Sequence, residues 1–587
     1  MLLSVEQRRK RLFDQYHQWP IKSLGTHFMG LAEKYGQKPF IITENESYTY
    51  QDVWEEGRKY AKSLMAHGVQ PKDHVAVLMS NRPESIFLML GIWITGAVCI
   101  PVNTMLREEE LLYLLNQSET QWLFMEQLAG GVMHSDSVSN IYDKVTSKRL
   151  NRIFCLKNSN EPIDQRFSPW ESFLNPNITI SDELLEEKIH SSQPHDVADI
   201  MYTSGSTGFP KGVIISHDMI LRSGYSTAVS RAFEDGRRVF TALPLYHIFA
   251  LAEGLMAVSF VGGTLIIANH FSPLSTLEMI ETHQANDILC VPSMLVALIN
   301  HPEVHRFNFN ALHSIMCAAT AAPVTVWERA IKVFNIKEIC TGYGSTEVTG
   351  AIVHTEQGDS VATVASRVGR IKPANPSGVP EFGNANVQIK TVNPDTGEVL
   401  PDGSIGEIVI KGNLVTKGYY KMAEETLAVV DEEGWLRTGD LGRLDEHGYI
   451  ELLGRSKEMY KISGENVAPK EIEDIISKHE AVSQAYVVGV KDAVTNETGA
   501  AFVELRPGAT CSRRELLNYC KKNLARFKVP RYIWFITESE LPITGNGKIQ
   551  KFALAEIAEN RLSEMRKIKK DVIKRNEDAI KSAGISR

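Results

Sequence analysis

The sequence predicts an α/β fold, with a large N-terminal domain of mixed, mostly parallel sheets and a small α+β C-terminal domain. Up to about residue 440, short apolar runs rich in β-formers alternate with helical patterns, which is typical of parallel strands covered by helices on both faces. From about 370 to 450, short alternating strands are separated by Gly, Pro and Asp turns, which predicts a small antiparallel, barrel-like subdomain. A compact unit with its own helices and strands begins after Gly454.

The elements of the large domain follow from their residues in order. Buried strands are predicted at HVAVLMS after Asp73, VCIPV near 100, DILCVP near 290 and SIMCAA near 315. The uncharged stretch 86–102 approaches the roughly 20 residues that span a bilayer, but Gly96 interrupts it and Pro101 ends it. We therefore expect a buried helix that turns into a buried strand. NVQIKTV and GEIVIKG are expected to be antiparallel strands, and the region 127–195 shows no clear pattern.

The C-terminal part begins with a strongly amphipathic helix. Pro469 opens the run EIEDIISKH, which places Ile472, Ile475 and Ile476 on one face. The strands AYVVGV and AFVEL and a second helix rich in leucine and basic residues follow. From Arg561 the tail carries nine basic and four acidic residues with sparse apolar positions, so a solvated helix or frayed end is expected rather than a membrane anchor.

Composition excludes several classes of protein. The chain has 587 residues, 43% of them hydrophobic, and a formal charge of −8, which argues against nucleic-acid binding as its main function. Seven cysteines without CxxC spacing exclude an obvious zinc ribbon or a dense disulfide framework, and the odd count fits a reducing compartment. The N-terminus lacks the apolar core of a signal peptide. We expect a cytoplasmic protein without an integral membrane segment.

The strongest local signal is TSGSTGFPKG at 203–212, directly after the strand-like ADIMY. Three glycines and four hydroxyl residues supply many donors that can surround phosphate oxygens, and Lys211 adds positive charge. The loop is not a Walker A motif, because Pro210 and Gly212 flank the lysine where that motif has Gly and Ser or Thr. A Gly/Ser surface linker is the alternative, but linkers seldom follow buried strands.

This loop is one of ten motifs that occur in a known order. YTYQDV at 48 and WITGAVCIPVN at 93 precede it, and LPLYHIFAL at 243, TGYGSTE at 341, GEIVIKGNLVTKGYY at 406, LRTGDL at 436, GRSKEMYKISGENVAPKEIE at 454, LARFKVP at 524 and LPITGNGKIQK at 541 follow. With them the sequence resembles the adenylate-forming superfamily of acyl- and aryl-CoA synthetases, adenylation domains and luciferase, and most closely the fatty acyl-CoA synthetases. The resemblance implies an adenylating domain at 1–453, a hinge at 454–457, a small mobile domain at 458–560 and a basic tail at 561–587.

The resemblance also implies roles for single residues, beside their physical fitness for them. Tyr343 stacks on adenine through its flat ring, Thr346 contacts the α-phosphate, and Glu347 helps to bind Mg²⁺, a cation that prefers carboxylate oxygens. Asp440 accepts both ribose hydroxyls, with Arg455 as its companion. The remaining nucleotide contacts are expected at Thr203, Ser204, Gly205, Ser206, Thr207, Gly208, Lys211 and Gly344, and Thr203 is also a candidate metal ligand.

The implied reaction has two halves and uses ATP, Mg²⁺ and coenzyme A. Lys548 matches the catalytic lysine, whose charge stabilises the transition state between the substrate carboxylate and the α-phosphate. The small domain then rotates about Lys457 and brings in the loop 461–466, in which Lys461 and Gly464 line the pantetheine tunnel. His247 lies near the acyl pocket or thiol tunnel, although a packing histidine is the alternative for it.

The acid is the open part of this interpretation. The acyl-pocket strand reads MCAATAAPV, in which Ala318, Ala319 and Thr320 replace the Gly-Gly-Ser of many medium- and long-chain synthetases, so a slightly narrower pocket is expected. We expect an acyl-CoA synthetase for a medium- or long-chain fatty or other hydrophobic acid. The alternatives are an aryl acid–CoA ligase and an adenylating enzyme that loads the phosphopantetheine of a carrier protein. A non-catalytic homologue is disfavoured because the site residues are intact. The oligomeric state is left open, with a homodimer as one option.

Overall fold

The structure, a computed structural model, describes residues 3–146, 150, 152–203, 210–455, 458–462, 465–492, 495–542 and 549–582. Two seven-stranded sheets, here named sheets A and B, form the centre of the large N-terminal part. Sheet A contains, in spatial order, Glu338–Cys340, Ser314–Cys317, Asp287–Cys290, Arg238–Thr241, Thr264–Ile267, Pro39–Ile42 and Ser47–Thr49. Sheet B contains Lys211–Ser216, Val197–Thr203, Val98–Pro101, His74–Leu78, Trp122–Glu126, Arg152–Leu156 and Ser168–Pro169.

Both sheets are parallel except for one edge strand each, which confirms the predicted α/β class. Ser47–Thr49 runs antiparallel at the edge of sheet A, and Lys211–Ser216 runs antiparallel at the edge of sheet B. The helices of this part are Val5–Asp14, Leu24–Tyr35, Tyr50–Ala66, Pro83–Thr95, Glu108–Gln117, His134–Ile141, Trp170–Leu174, Asp182–Ser191, His217–Ser230, Ile248–Ala250, Ala257–Ser259, Pro273–Thr282, Pro292–Ile299, Val324–Phe334 and Val361–Ser366. A π-helical segment, Leu251–Met256, joins Ile248–Ala250 to Ala257–Ser259.

The long uncharged stretch is a buried helix followed by a buried strand, as the sequence predicts. The helix Pro83–Thr95 is buried except at Glu84, because it packs against other helices, chiefly Tyr50–Ala66, and against strands of sheet B. It ends at Gly96, whose φ of 73° lies in the left-handed region that glycine adopts without strain. In the described ranges, no helix is both long enough and apolar enough to cross a bilayer.

Two smaller antiparallel sheets follow sheets A and B. A three-stranded sheet contains Gly342–Ser345, Gly350–His354 and Arg370–Ile371. A four-stranded sheet, here named sheet C, contains Val387–Val392, Gly406–Gly412, Leu436–Leu444 and Ile450–Arg455, with the short helix Ala423–Leu427 between its second and third strands. The antiparallel pairing predicted for NVQIKTV and GEIVIKG is confirmed, since Val387 pairs with Gly412 and Val392 with Glu407.

The smaller C-terminal unit is a five-stranded sheet with helices on both faces. Its strands are Glu465–Val467, Tyr460–Ile462, Asn496–Leu505, Val482–Asp492 and Tyr532–Phe535. Pro469–Ser477 and Arg513–Asn523 cover one face, and Lys551–Ser582 packs its first turns on the other. The predicted amphipathic helix buries Ile472 and Ile476, whereas Ile475 is half-buried.

The core contains two further buried features. The first is an ionic network at one end of sheet A, in which Asp287 accepts from Arg231 at 2.6 Å and from Arg237 at 2.9 Å, all three side chains being inaccessible to solvent. Arg8 of the N-terminal helix joins this network through Glu338. The second is the state of the seven cysteines, all of which fall in described ranges. They are free thiols, six of them buried, and Cys511 is partly exposed.

Candidate functional site

The segment 341–350 forms a tight hairpin whose backbone requires glycine. Gly342–Ser345 pairs with Gly350–His354, and the 3-10 turn Thr346–Val348 connects the two strands. A Cβ atom on Gly344 would lie 1.8 Å from the carbonyl oxygen of Gly350, so no other residue fits there without moving the opposite strand. The hairpin thereby fixes the backbone at Tyr343, in its first strand, and at Glu347, in its turn.

Three predicted nucleotide contacts meet at one carboxylate. The Tyr343 hydroxyl donates to Oδ2 of Asp440 at 2.6 Å, and Nε of Arg455 donates to Oδ1 at 3.1 Å. Asp440 and Arg455 face each other on neighbouring strands of sheet C. Burial, and then the Asp440 charge, raises the pKa of Tyr343 well above its usual value, so the phenol stays protonated. Although burial opposes it, the Asp440 charge raises the pKa of Arg455.

A second group of contacts surrounds Glu347. The Tyr419 hydroxyl donates to Oε1 of Glu347 at 3.0 Å, and the Lys211 ammonium lies 4.9 Å from the centre of the Tyr419 ring. Lys211 is the strand partner of Thr203, so these two ends of the glycine-rich loop are adjacent. Three predicted residues, Glu347, Lys211 and Thr203, therefore lie at the hairpin or at the loop ends, and Tyr419 contacts two of them. Tyr419 lies in the motif GEIVIKGNLVTKGYY but was not among the predicted site residues.

The other predicted residues have different surroundings. Thr346 is buried in the 3-10 turn. His247 caps the helix Ile248–Ala250, where its Nδ1 accepts from the backbone N–H of Phe249 at 3.2 Å. Lys461 belongs to the C-terminal sheet, where its backbone N–H donates to Glu497 at 2.7 Å. The predictions for Ser204, Gly205, Ser206, Thr207, Gly208, Lys457, Gly464 and Lys548 lie outside the described residues.

The predicted acyl-pocket segment follows the strand Ser314–Cys317. Ala318 is buried, whereas Ala319 and Thr320 are exposed. Ala319 has a φ of 75°, which lies in the left-handed region. The methyl group of Ala318 therefore lies in a packed interior, whereas that of Ala319 does not. Glycine adopts the backbone conformation of Ala319 without strain, whereas alanine rarely does.

A buried carboxylate behind the hairpin was not predicted. Glu253, in the π-helical segment, accepts from the backbone N–H of Ala351 at 3.1 Å, from the Thr227 hydroxyl at 2.7 Å and from the Lys372 ammonium at 3.3 Å. Although burial opposes it, Lys372 and then His354 lower the pKa of Glu253 to about 2. This ionised carboxylate ties the hairpin strand Gly350–His354 to the core. In the sequence, Glu253 is distinguished only as the single acidic residue of the apolar run ALAEGLMAV.

The described residues do not form a cage of metal-binding side chains. Among them, no group of three or more His, Cys, Asp or Glu residues is arranged to hold a metal ion. Mg²⁺ is commonly bound by one or two carboxylates together with substrate phosphates and waters, so the single carboxylate of Glu347 beside the loop ends fits such a cation.

Family models and relatives match this chain over most of its length. The family model for AMP-binding enzymes matches residues 30–420, and the model for the C-terminal domain of AMP-binding enzymes matches residues 471–548. The long-chain-fatty-acid–CoA ligase of Bacillus subtilis (strain 168) is 30% identical over 549 residues, which cover 92% of this chain and 95% of that protein.

Two solved structures have the same fold. The anthranilate CoA ligase AuaEII in complex with anthranoyl-AMP superposes with a TM-score of 0.80 at 22% identity, over 96% of this chain and 100% of that one. The o-succinylbenzoate CoA synthetase MenE of Bacillus subtilis, in complex with the intermediate OSB-AMP, superposes with a TM-score of 0.71 at 25% identity, over 90% of this chain and 97% of that one. The chain therefore belongs to the AMP-binding enzyme family and is an acid–thiol ligase of the adenylate-forming type.

Proposed function

We propose that this enzyme is an ATP-dependent acyl-CoA synthetase that activates a hydrophobic carboxylic acid, a medium- or long-chain fatty acid, as its acyl adenylate and then forms the coenzyme A thioester. The observation that carries the proposal is the convergence of Tyr343 and Arg455 on Asp440, next to Glu347 and the ends of the glycine-rich loop. A carboxylate held between an aromatic ring and a guanidinium is suited to a ribose beside an adenine.

In the first half-reaction, an oxygen of the acid attacks the α-phosphorus of ATP, and the bond to the bridging oxygen of pyrophosphate breaks. Tyr343 and Asp440 orient the nucleoside, while Lys211 and the loop neutralise phosphate charge. Glu347 would hold Mg²⁺, which when bound would supply further charge neutralisation on the phosphates. Lys548 stabilises the charge that develops between the acid and the α-phosphate. Positioning and electrostatics therefore account for most of the rate.

In the second half-reaction, the thiol of coenzyme A loses its proton and its sulfur attacks the carbonyl carbon of the adenylate, which releases AMP. We propose that residues 454–457 act as the hinge and 458–560 as the mobile domain for this step. Rotation would withdraw Lys548 and bring Lys461 and Gly464 to the thiol tunnel.

The second candidate function is an aryl acid–CoA ligase. Two of the solved structures that share this fold are ligases of aromatic acids, anthranilate and o-succinylbenzoate. The buried Ala318, in place of glycine, reduces the room available beside the strand Ser314–Cys317, which also suits a compact acid. The sequence similarity to a long-chain-fatty-acid–CoA ligase favours the aliphatic alternative.

Pyrophosphate release tests both candidates. The assay uses ATP and Mg²⁺ with acids from acetate through C6, C10 and C16 chains to benzoate and cinnamate, each with and without coenzyme A. Turnover that requires coenzyme A and is highest on an aliphatic acid supports the main proposal, and a maximum on benzoate or cinnamate supports the second. Adenylate formation that is indifferent to coenzyme A indicates a carrier protein as the acceptor. Absence of turnover on every acid contradicts both candidates.

A single substitution tests the proposed role of Lys548. We expect Lys548→Ala to lose almost all adenylate formation but to keep thioester formation from a supplied acyl adenylate. Equal losses in the two half-reactions would contradict the assignment.

A further inference from the structure

We propose that Tyr419 is a positioning residue that holds Glu347 and Lys211 in the arrangement needed for magnesium–ATP. The inference deepens the proposed function and rests on it, because it concerns the phosphate end of the same site. Two contacts of one side chain carry it: the hydroxyl donates to Glu347 Oε1 at 3.0 Å, and the ring face lies under the Lys211 ammonium at 4.9 Å.

The hydroxyl contact orients the carboxylate. A hydrogen bond to one oxygen fixes the rotation of the Glu347 carboxyl group, and within the part of the chain that the structure describes no protein donor reaches the other oxygen, Oε2. Oε2 therefore remains for a ligand.

The contact with the Tyr419 ring restricts the side chain of Lys211. Lys211 is the first residue of its strand after the glycine-rich loop, and its flexible side chain has many rotamers. A cation over the face of a tyrosine gains electrostatic attraction from the ring, which favours one direction of the side chain. The ammonium is thus kept at the loop end rather than in bulk solvent.

Tyr419 itself is held rigidly by its neighbours in the segment 416–420. The Thr416 hydroxyl donates to the carbonyl of Ile214 at 2.7 Å, and the Tyr420 N–H donates to the carbonyl of Gly212 at 2.7 Å. The N–H of Thr416 donates to the carbonyl of Glu347 itself at 2.8 Å. The segment is therefore bonded both to the strand that follows the glycine-rich loop and to the hairpin that carries Glu347.

The test separates the two contacts by mutation. Tyr419→Phe keeps the ring and removes the hydroxyl, whereas Tyr419→Leu removes both contacts. Tyr420→Phe is the matched control, because the Tyr420 hydroxyl donates to Glu119 at 3.0 Å and the change removes a similar hydrogen bond in the neighbouring residue. All three variants are compared with the wild-type chain by calorimetric ATP binding at several Mg²⁺ concentrations, by thermal melting and by pyrophosphate release.

We expect Tyr419→Phe to raise the half-saturating Mg²⁺ concentration about tenfold, the effect of losing one hydrogen bond to a charged group. The melting temperature and the KM for the acid should stay close to wild type. Tyr419→Leu should in addition weaken ATP binding at saturating Mg²⁺, and Tyr420→Phe should change neither quantity. An unchanged Mg²⁺ dependence in Tyr419→Phe, or an equal change in Tyr420→Phe, would overturn the inference.

The binding measurement keeps this inference distinct from the proposed function. If the wild-type chain binds magnesium–ATP but releases no pyrophosphate on any acid, the proposed reaction fails, and the Tyr419→Phe binding data still decide the role of Tyr419. If the wild-type chain turns over and the variant shows the same Mg²⁺ dependence, the reaction stands and the positioning role is wrong.

Discussion

The hydroxyl of Tyr343 donates a 2.6 Å hydrogen bond to Oδ2 of Asp440, a residue of a different sheet. Arg455 occupies the other oxygen of the same carboxylate. Because each carboxylate oxygen has two lone pairs, both contacts leave acceptor capacity for a diol. The pair therefore orients Asp440 before nucleotide arrives, so that little ordering is left for the moment of binding.

Neutralising Asp440 should weaken nucleotide binding specifically. We expect Asp440→Asn to lower ATP affinity about tenfold, because charge-assisted hydrogen bonds contribute roughly 1.5–3 kcal/mol each. The KM for the acid should change little. Calorimetric titration with ATP measures the first quantity and steady-state kinetics the second. Asp445→Asn, in the turn that joins the strands Leu436–Leu444 and Ile450–Arg455, is the control. An equal loss of ATP affinity there would contradict the prediction.

Gly344→Ala should disrupt the hairpin. The added methyl group would lie 1.8 Å from the Gly350 oxygen, and relief of this overlap requires the strand to shift. We expect a loss of about 2 kcal/mol or more in the free energy of unfolding, together with loss of ATP binding. Denaturant unfolding is the measurement. In Gly30→Ala, a helical position with no atom within 4 Å of the added carbon, stability should instead stay the same or rise by roughly 0.5–1 kcal/mol.

The stability of the fold should decrease in mild acid, partly because of His217. Burial lowers the pKa of this histidine to about 4 from an ordinary 6.5, and its Nδ1 accepts from the backbone N–H of Leu24. Between pH 6.5 and 4 the unfolded chain therefore binds a proton that the folded chain does not, and unfolding becomes easier as the pH falls.

Replacement of His217 by Asn should remove this contribution. Between pH 6.5 and 4, the unfolding free energy of His217→Asn should depend less steeply on pH, by up to about 1.4 kcal/mol per pH unit. Above pH 7 the slopes of variant and wild type should coincide. Urea unfolding at a series of pH values supplies both slopes, and parallel curves through the acid range would show that His217 does not account for the effect.

The N-terminal helix should contribute strongly to stability through one residue. The side chain of Arg8 is only 2% exposed and pairs with Glu338, whereas that of Arg11 on the same helix is 63% exposed. We expect Arg8→Ala to lower the free energy of unfolding by about 3 kcal/mol or more, because the buried carboxylate of Glu338 then keeps only its longer contact with Arg237, at 3.7 Å. Arg11→Ala should leave the unfolding midpoint nearly unchanged. Similar midpoints for the two variants would refute this role of Arg8.

Local sequence patterns made most of the fold predictable. The stretch 86–102 combines a helix-ending glycine, β-formers and the absence of charge, and each of these signals acts within a few residues. The region 127–195 gave no prediction because its elements, such as Leu128–Ala129 and Trp170–Leu174, are too short to show a period. The last helix begins at Lys551, before the tail at Arg561 where a helix or frayed end was expected.

The candidate site was predictable only in part. Motif resemblance selected Tyr343, Asp440 and Arg455, but no local pattern indicates that two strands of sheet C and a separate hairpin bring them together. Glu253 was missed because a lone carboxylate in an apolar run has no partner in the sequence, and its partners Lys372 and Ala351 come from distant elements. Contacts of this kind depend on tertiary packing, which local sequence patterns do not predict.

The state of the cysteines has a consequence for self-modification. An activated acyl group transfers readily to any accessible thiolate, so an enzyme that retains such a group risks acylating itself. Burial raises the pKa of Cys155 and Cys340 to about 12 and that of Cys520 to about 11, which keeps these sulfurs protonated as well as enclosed. Only Cys511 is partly exposed, and burial raises its pKa too. The interior thus offers poor internal acceptors, and the acyl group is preserved for the incoming thiol.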